Sequence, residues 1–432
     1  AGCFYVPLDL DMPSARVDLI LGNIMTPLVI CDGETAEAAG KLDLRGGRAI
    51  TIDEILSGGG TDDAALDLIY RKAIDTDPIY VVFTSGSTGV PKGVCACHRS
   101  VVDYVTRLSE TLGFSEDTVF GNQSPLYFDA CLKELYPTLM FGATTFLIPK
   151  RLFTTPVALV NYLNENRINT ICWAAPALTM ISAFDTFSVV KPEYLRTVAF
   201  GSEVFPVKQF NRWFRALPGA TFTNLYGPTE TTGMCCFYRC GREFSEDETI
   251  PIGKPFPNRE IILLKPDGTV AGEGEEGEIC VRGTALTLGY YNDPERTEAA
   301  FVQNPLNGSY PEKIYRTGDL AKYDSEGDLV FISRKDRQIK HMGHRIEPGE
   351  IEITAAGFPG VALCACVYDA GKRRIILFFT GEAEPDALGA GMRDRLPGYM
   401  VPGRIIKLNQ MPLTPNGKIN RLALENMKQE SR

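Results

Sequence analysis

Strand-like and helix-like segments alternate through the first part of the chain. Apolar runs rich in β-branched residues lie at 79–84, 143–149, 168–176 and 196–202, and small residues follow them. Longer amphipathic segments separate the runs, as at 157–167. Strands that end in small-residue turns and alternate with helices predict an α/β sheet, with ligands bound at the ends of its strands.

The pattern changes after about residue 250 to short strands separated by turn signals. PDG at 266–268 and SEGD at 325–328 lie between apolar runs and are typical of hairpins. This part of the chain predicts a β-rich subdomain. From Lys335 onward, a helix-like run, two apolar β-runs and a tail with many Pro and Gly residues predict a separate small α+β domain.

These changes of pattern predict the domain organisation. We expect a large domain over 1–333, a charged hinge at 334–338 that lacks apolar anchors, and a small, mobile lid domain over 339–432. The polar, Gly- and Asp-rich stretch at 33–78 predicts a loop within the large domain.

Composition and charge narrow the range of partners. The 432 residues include 44 Lys and Arg against 54 Asp and Glu, a net charge of −10, and 44% are hydrophobic. A chain of this length is too long for one ordinary domain, and its hydrophobic fraction provides an ample core. The acidic balance argues against nucleic acid as a partner. The sequence has neither a long apolar span nor a signal-peptide pattern, so we expect no membrane contact, with small molecules or proteins as partners.

The cysteines and histidines do not predict a metal cage. Twelve cysteines are too few for a disulfide scaffold and fit a reducing cytoplasm. Their spacing is not the two-plus-two arrangement of a zinc site. The three histidines are His98, His341 and His344, and the sequence shows no nucleophilic dyad or triad for any of them.

The strongest chemical signal is TSGSTGVPKG at 84–93, directly after a predicted strand. Three glycines, four hydroxyls and a lysine make a loop whose N–H and O–H groups can surround phosphate oxygens, while Lys92 adds positive charge. The spacing is not that of a Walker loop, of a dinucleotide-binding glycine-rich turn or of the nucleophile elbow of hydrolases. We therefore predict a phosphate-binding loop of another kind.

Four further motifs follow: NLYGPTE at 224–230, YRTGDL at 315–320, SRKDRQIKHMGHRIEPGEIE at 333–352 and LTPNGKINR at 413–421. With the phosphate loop, these motifs resemble those of the adenylate-forming superfamily, in the same order and over nearly the whole chain. The resemblance is closest to the amino-acid adenylation domains of nonribosomal peptide synthetases and the related D-alanine:carrier-protein ligases.

The resemblance implies that ATP and Mg²⁺ are cofactors. Tyr226 would offer its ring to the purine, Asp319 would accept hydrogen bonds from the ribose, and Glu230 would be the metal ligand. The implied ATP and AMP contacts are Thr84, Ser85, Gly86, Ser87, Thr88, Gly89, Gly201, Ser202, Glu203, Asn224, Tyr226, Gly227, Thr229, Asp319 and Arg334.

The resemblance also implies the catalytic residues Lys418, Lys92 and Glu230. Lys418 would reach from the small domain to the substrate carboxylate and the α-phosphate, where negative charge develops. Asp336 would be the hinge residue about which the small domain rotates. That rotation would bring the loop near Gly343 to the site and form a tunnel for a phosphopantetheine thiol.

The substrate pocket implied by the resemblance favours an amino acid. Asp129 would pair with the α-amino group, although it could instead cap a helix. Lys133 could bind an acidic side chain or be a solvated helix residue. The implied pocket residues are Asp129, Ala130, Lys133, Trp173, Val198, Phe200, Leu225, Gly233 and Met234.

We therefore expect a cytoplasmic ligase that forms an aminoacyl-AMP with release of pyrophosphate and transfers the aminoacyl group to the phosphopantetheine thiol of a peptidyl or acyl carrier protein. The open alternatives are a D-alanine:carrier-protein ligase, an acyl- or aryl-CoA ligase, and a non-catalytic fragment or scaffold. The start of the chain resembles the second motif of the family, so we also expect N-terminal truncation relative to that family.

Overall fold

The computed structural model describes residues 2–25, 27–86, 89–414 and 419–430, with side chains up to residue 427. Its first part contains two parallel strands and four helices. In chain order these are α1 (Ser14–Asn23), β1 (Leu28–Cys31), α2 (Ala36–Ala39), β2 (Arg48–Thr51), α3 (Ile52–Ser57) and α4 (Asp63–Lys72).

The prediction of a loop at 33–78 is wrong, because this stretch holds α2, β2, α3 and α4. Local caps define two of these helices. Thr51 and Glu54 form a reciprocal capping box at the start of α3, and Asp62 accepts a hydrogen bond from the Ala65 N–H at the start of α4. Neither α3 nor α4 has a buried residue, so no buried apolar face marks them in the sequence.

The core of the large domain is a seven-stranded sheet. The segments that follow α4 are β3 (Pro78–Thr84), β4 (Lys92–Cys97), α5 (His98–Leu112), β5 (Val119–Asn122), α6 (Leu132–Phe141), β6 (Thr144–Leu147), α7 (Pro156–Glu165), β7 (Thr170–Ala174), α8 (Ala175–Ala183), β8 (Thr197–Gly201), α9 (Val207–Ala216), β9 (Thr221–Tyr226), β10 (Cys236–Cys240) and β11 (Lys254–Pro255). The strand order is β11-β10-β9-β8-β7-β5-β6, and the five strands from β9 to β6 in this order are parallel.

Helices cover both faces of this sheet. Apolar residues of α7, α8 and α9 pack on one face around Trp213, and residues of α5 and α6 pack on the other around Tyr104. The four apolar runs predicted as strands correspond to β3, β6, β7 and β8. The predicted α/β sheet is therefore confirmed.

An antiparallel, β-rich part follows, as predicted. Its segments are β12 (Arg259–Leu264), β13 (Gly277–Gly283), β14 (Gly289–Tyr290), α10 (Pro294–Ala300), β15 (Phe301–Gln303), β16 (Lys313–Tyr323) and β17 (Leu329–Arg334). The strands β12, β13, β16 and β15 are neighbours in that order, and β17 also pairs with β16. The strand β14 pairs instead with β4, which pairs with β3.

The last part has its own sheet and core. Its segments are β18 (Ile339–His341), β19 (His344–Ile346), α11 (Pro348–Ala356), β20 (Val361–Asp369), β21 (Arg374–Gly381), α12 (Pro385–Arg393), β22 (Arg404–Lys407) and α13 (Arg421–Glu430). Apolar clusters lie on both faces of the sheet β20-β21-β22, one around Ile351 and Met392 and the other around Met411 and Leu424. The α+β character predicted for this part is confirmed.

Across the described ranges, none of the helices has the length and apolar character needed to cross a membrane.

Candidate active site

A cavity lies where the parallel strands of the seven-stranded sheet end against the last part of the chain. Residues at or directly after the carboxyl ends of β5, β7, β8 and β9 line it, which is where the sequence pattern predicts a ligand. The turn between β18 and β19 also lines the cavity. The cavity is therefore bordered by both the large and the small predicted domains.

Several predicted nucleotide contacts meet in this cavity. Those that line it are Thr84, Ser85, Ser202, Gly227, Thr229, Asp319 and Arg334. Six other predicted nucleotide contacts, which lie close to these residues in the chain, do not line the cavity: Gly86, Gly89, Gly201, Glu203, Asn224 and Tyr226. The predicted contacts Ser87 and Thr88 and the predicted catalytic Lys418 lie outside the described residues.

Protein groups lie close to Gly201, Asn224 and Glu203, which do not line the cavity. A Cβ atom at Gly201 would lie 2.3 Å from the carbonyl oxygen of Leu225, so the close approach there requires glycine. Asn224 donates from Nδ2 to the Pro251 carbonyl at 2.8 Å. The carboxylate of Glu203 accepts hydrogen bonds from the N–H of Gly343 and from Nη2 of Arg373.

Asp319 is a buried acceptor shared by two predicted nucleotide contacts. Its residue is 1% exposed, Tyr226 donates its hydroxyl hydrogen to Oδ2 at 2.6 Å, and Arg334 donates from Nη1 to Oδ1 at 2.5 Å. Pairing of β16 with β17 places Asp319 directly opposite Arg334. Arg334 also binds Asp336, the predicted hinge residue, through Nε and Nη2 at 2.6 Å each.

Glu230 and Lys92, two of the predicted catalytic residues, form a buried ion pair and do not line the cavity. Lys92 Nζ lies 3.1 Å from Oε1 of Glu230, and the Tyr290 hydroxyl donates to the same oxygen at 2.7 Å. Arg345 Nη1 lies 2.7 Å from Oε2. Both oxygens of this carboxylate are therefore held by hydrogen-bond donors.

The electrostatics of this cluster keep Glu230 ionised. Burial opposes ionisation, but the charges of Arg345 and Lys92 outweigh it and hold the pKa of Glu230 far below its ordinary value. Burial and the nearby Arg345 lower the pKa of Lys92, although Glu230 opposes this shift. An ionised, buried carboxylate is a hard oxygen ligand of the kind that Mg²⁺ prefers.

The loop predicted to bind phosphate contacts β19 and α11. The N–H of Gly86 donates to Oε2 of Glu350 at 3.2 Å, and Ser85 Oγ donates to the Arg345 carbonyl at 2.8 Å. Oε1 of Glu350 forms a buried ion pair with Arg16 of α1. Two groups of the loop predicted to bind phosphate, the Ser85 hydroxyl and the Gly86 N–H, are thus bonded to the last part of the chain.

Aromatic side chains form one wall of the cavity. His344 stacks on Tyr399 with ring centroids 3.7 Å apart, and Phe128 meets the same imidazole edge-on at 4.9 Å. Burial lowers the pKa of His344 to about 4, so the imidazole is neutral at physiological pH. None of these three residues is among the predicted site residues.

The predicted substrate residues divide into two groups. Those that line the cavity are Asp129, Ala130, Gly233 and Met234. Burial raises the pKa of Asp129, and a hydrogen bond from Thr229 and the charge of Lys133 partly offset this effect. Lys133 is 1% exposed, which contradicts the solvated alternative, but it does not line the cavity.

The structure does not place Trp173, Val198, Phe200 or Leu225 on the cavity wall. Successive side chains of a strand point to opposite faces. Trp173, Val198 and Phe200 belong to the core cluster on the side of α7, α8 and α9. Trp173 donates from Nε1 to the Gly121 carbonyl at 2.6 Å. The prediction that these three residues line the substrate pocket is therefore wrong. Their side chains pack on the face of β7 and β8 that α7, α8 and α9 cover.

Leu225 is also buried, but on the other face. It packs with Cys172, Ala199 and Met234 in the cluster on the side of α5 and α6. Ala174, two residues beyond Cys172 on the same strand, lines the cavity. The cavity-facing positions of β7 are therefore one residue away from the predicted position, Trp173.

Two residues that hold Glu230 were missed by sequence reasoning. Arg345 lies within the motif at 333–352, so that motif was the available signal. Tyr290 lies outside all five motifs, and no pattern in the sequence marks it.

Comparison with known proteins gives a family and several relatives. The family described as AMP-binding enzyme matches residues 1–291. Tyrocidine synthase 1 of Brevibacillus parabrevis is 31% identical over 429 residues, which are 98% of this chain and 38% of that protein. The L-proline–[L-prolyl-carrier protein] ligase of Pseudomonas fluorescens is 31% identical over 435 residues, which are 98% of this chain and 84% of that protein.

This chain spans only part of the synthases. It covers 38% of tyrocidine synthase 1 and 12% of tyrocidine synthase 2, also of Brevibacillus parabrevis, to which it is 30% identical over 439 residues.

Solved structures support the fold. The structure of holo-PA1221, described as a protein containing adenylation and PCP domains bound to a vinylsulfonamide inhibitor, is similar with a TM-score of 0.81 and 28% identity, over 98% of this chain and 71% of that one. The Vibrio cholerae adenylation domain AlmE has the same TM-score at 21% identity, over 99% and 85%, a likeness that shows the fold alone.

Proposed function

The chain belongs to the AMP-binding enzyme family, and we propose that it activates an amino acid as its aminoacyl-AMP and transfers the aminoacyl group to the thiol of a carrier protein. One observation carries this proposal. The same cavity is lined by Asp129, a half-buried carboxylate suited to an ammonium group, and by Thr84, Ser85 and Asp319, which suit phosphate and ribose.

In the first step, a carboxylate oxygen of the amino acid attacks the α-phosphorus of ATP, a new P–O bond forms, and the bond to pyrophosphate breaks. Asp129 would hold the ammonium group of the substrate. Lys92 supplies a fixed positive charge close to the phosphate loop, which stabilises the charge that develops on the phosphate oxygens. Lys418, predicted to act in the same step, lies outside the described residues.

Mg²⁺ fits the chemistry of Glu230, and when bound it would neutralise phosphate charge. Among the residues that the structure describes, no three His, Cys, Asp or Glu side chains are grouped as a cage. The remaining ligands would therefore be phosphate oxygens and water, which is common for this ion. Arg345 holds Oε2 of Glu230 in this structure and would have to leave for the ion to bind that oxygen.

In the second step, a carrier thiol attacks the carbonyl carbon of the adenylate and AMP leaves. The turn at Gly343 already lines the cavity, which suits the orientation proposed for this step. The names of two relatives support a carrier partner, since one is a prolyl-carrier protein ligase and another contains adenylation and PCP domains. The predicted boundaries 1–333, 334–338 and 339–432 stay part of this proposal.

The test is ATP/pyrophosphate exchange on this chain with D- and L-amino acids, benzoate and fatty acids. We expect exchange with one amino acid or a small group of them, reduced by roughly 10²-fold or more in Lys92→Met and Lys418→Ala. Exchange with benzoate or a fatty acid would instead favour an acyl or aryl ligase. A folded chain that exchanges with none of these acids would overturn the proposal and favour a non-catalytic fragment or scaffold.

A further inference from the structure

The wall of the cavity includes a buried tyrosine that has no role in the proposed activation step. Tyr104 lies on α5, where the spacing of Val101, Tyr104, Val105 and Leu108 directs one face of the helix into the core. Tyr104 also lines the cavity, and it is 1% exposed. Its phenol group therefore lies between the core and the proposed substrate site.

The hydroxyl end of the Tyr104 ring packs against the backbone at Gly233. A Cβ atom at position 233 would lie 2.8 Å from Cζ of Tyr104 and 3.0 Å from its hydroxyl oxygen. Gly233 and its neighbour Met234 both line the cavity. Tyr104 therefore fills the space that a side chain at position 233 would need.

The Tyr104 hydroxyl has no hydrogen-bond partner within the described ranges. Burial, with the charge of Asp129 as a smaller cause, raises the pKa of Tyr104 well above its ordinary value, so the phenol stays protonated. The Met234 N–H lies near the oxygen and opposes this rise. Buried tyrosine hydroxyls usually have a partner, and an unpaired one is costly. The phenol is therefore a donor that the described residues leave for a ligand.

We propose that Tyr104 is a specificity-determining residue, and that its hydroxyl donates a hydrogen bond to an oxygen on a short, uncharged side chain of the amino acid substrate. The inference rests on the proposed function, because the substrate occupies the same cavity. Asp129 would hold the ammonium group of this substrate. The small lining residues Ala130 and Ala174 leave space for its side chain.

Electrostatics and reach define the class of side chain. Because the charge of Asp129 acts on the phenol, a substrate held by this carboxylate needs only a short side chain to reach the Tyr104 hydroxyl. An anionic side chain would be repelled by Asp129, and an ammonium or guanidinium group offers no acceptor. A hydroxyl or carboxamide oxygen meets both conditions. An aliphatic side chain would leave the Tyr104 hydroxyl unpaired.

The test is ATP/pyrophosphate exchange with pairs of amino acids of similar shape, in L and D forms: serine and α-aminobutyrate, threonine and valine, asparagine and leucine. We expect the polar member of at least one pair to have a kcat/KM at least about tenfold higher on the unmodified chain. Tyr104→Phe keeps the ring and removes the hydroxyl, so it should reduce this preference to less than about threefold. The apolar member should exchange at least as well as on the unmodified chain, because the unpaired hydroxyl is gone.

The matched control is Tyr80→Phe. Tyr80 is 0% exposed, and its hydroxyl likewise has no partner among the residues that the structure describes, but Tyr80 does not line the cavity. Both variants therefore remove a buried, unpaired hydroxyl. The control should leave the preference within about twofold of that of the unmodified chain.

A preference for the polar member that survives in Tyr104→Phe, or that falls equally in Tyr80→Phe, would overturn the inference. A preference for the apolar member of every pair, or for an acidic or basic amino acid, would also overturn it. In these cases exchange itself persists, so the proposed function stands. If the folded, unmodified chain exchanges with no amino acid, the proposed function falls and this inference falls with it.

Discussion

The Tyr226 hydroxyl donates a 2.6 Å hydrogen bond to Oδ2 of Asp319 and so joins two motifs that are 93 residues apart in the chain. Both residues are buried. Because Arg334 holds the other carboxylate oxygen, the acceptor predicted for ribose is fixed before any ligand enters. The relationship links the predicted purine contact to the predicted ribose contact.

We predict that Tyr226→Phe lowers the free energy of unfolding by about 1.5–3 kcal/mol, because a buried carboxylate loses a hydrogen bond while the ring is kept. Chemical denaturation monitored by circular dichroism measures the change. The control is Tyr5→Phe, which removes a 3.0 Å hydrogen bond to the Tyr136 hydroxyl from a residue that is 44% exposed and should cost less than about 0.5 kcal/mol. Equal losses in the two variants would contradict the prediction.

Much of the fold could be predicted from the sequence, for identifiable reasons. The runs at 79–84 and 196–202 are apolar and end in small residues, and both are strands in the structure. The helices at 33–78 could not be predicted from apolar periodicity, because α3 and α4 bury no residue and depend on local caps. Local hydrogen bonds of this kind leave only a weak mark on the hydrophobic pattern.

The site was less predictable because its details depend on tertiary packing. Strands β7 and β8 are buried on both faces, so their sequences do not alternate between apolar and polar residues. Nothing in the sequence then shows that Trp173 points away from the cavity and Ala174 into it. The contact between Arg345 and Glu230 joins residues 115 apart, and no local pattern predicts such a pairing.

Glu134 gives a prediction for pH dependence. Burial raises its pKa from 4.5 to about 7, and the carboxyl group contacts Asn122 Nδ2 at 2.5 Å and the Cys172 N–H at 3.3 Å. Because the folded state binds this proton more tightly, the group's contribution to stability is complete below about pH 4.5 and falls as the pH rises to about 7. We predict that Glu134→Gln gains stability relative to the unmodified chain over that range, by on the order of a few kcal/mol.

Denaturation curves at several pH values between 4 and 8 measure this difference. Glu110→Gln is the control, since Glu110 is a surface residue paired with Arg107. This variant should not reproduce the gain in stability of Glu134→Gln as the pH rises. A difference for Glu134→Gln that is also constant with pH would show that the carboxyl group is not preferentially protonated in the folded state.

We expect the Asp129 carboxylate to bind the substrate ammonium group and to destabilise the protein when that group is absent. Burial raises its pKa, so the ionised form is disfavoured until an ammonium group arrives. We predict that Asp129→Asn raises the thermal midpoint of the ligand-free protein at pH 8 and lowers amino-acid-dependent exchange by about 10²-fold. Thermal unfolding and pyrophosphate exchange measure the two effects.

The matched control for this variant is Asp328→Asn. Burial also raises the pKa of Asp328, which lies in the turn region between β16 and β17 and does not line the cavity. Its removal should leave exchange unchanged. Loss of exchange in both variants would mean that the effect comes from general destabilisation and not from the ammonium contact.

Asp336 allows the predicted hinge to be tested through the two half-reactions. Its carboxylate accepts two hydrogen bonds of 2.6 Å from Arg334, and we propose that they stabilise the orientation in which Gly343 lines the cavity. Asp336→Asn keeps the shape but removes the charge, so it weakens this orientation. We predict that transfer to the carrier slows by about 3–10-fold while adenylate formation is unchanged or faster.

Single-turnover rates of exchange and of carrier loading separate these effects, because a merely destabilised protein would lose both activities together. Asp324→Asn is the control on the neighbouring hairpin, where Oδ1 of Asp324 accepts hydrogen bonds from the N–H groups of Glu326 at 3.0 Å and Asp328 at 2.9 Å. It should leave the ratio of the two rates unchanged. Equal slowing of both half-reactions in Asp336→Asn would show that the contact with Arg334 matters for nucleotide binding and not for the orientation of the hinge. Arg334 also holds Asp319, the predicted ribose contact.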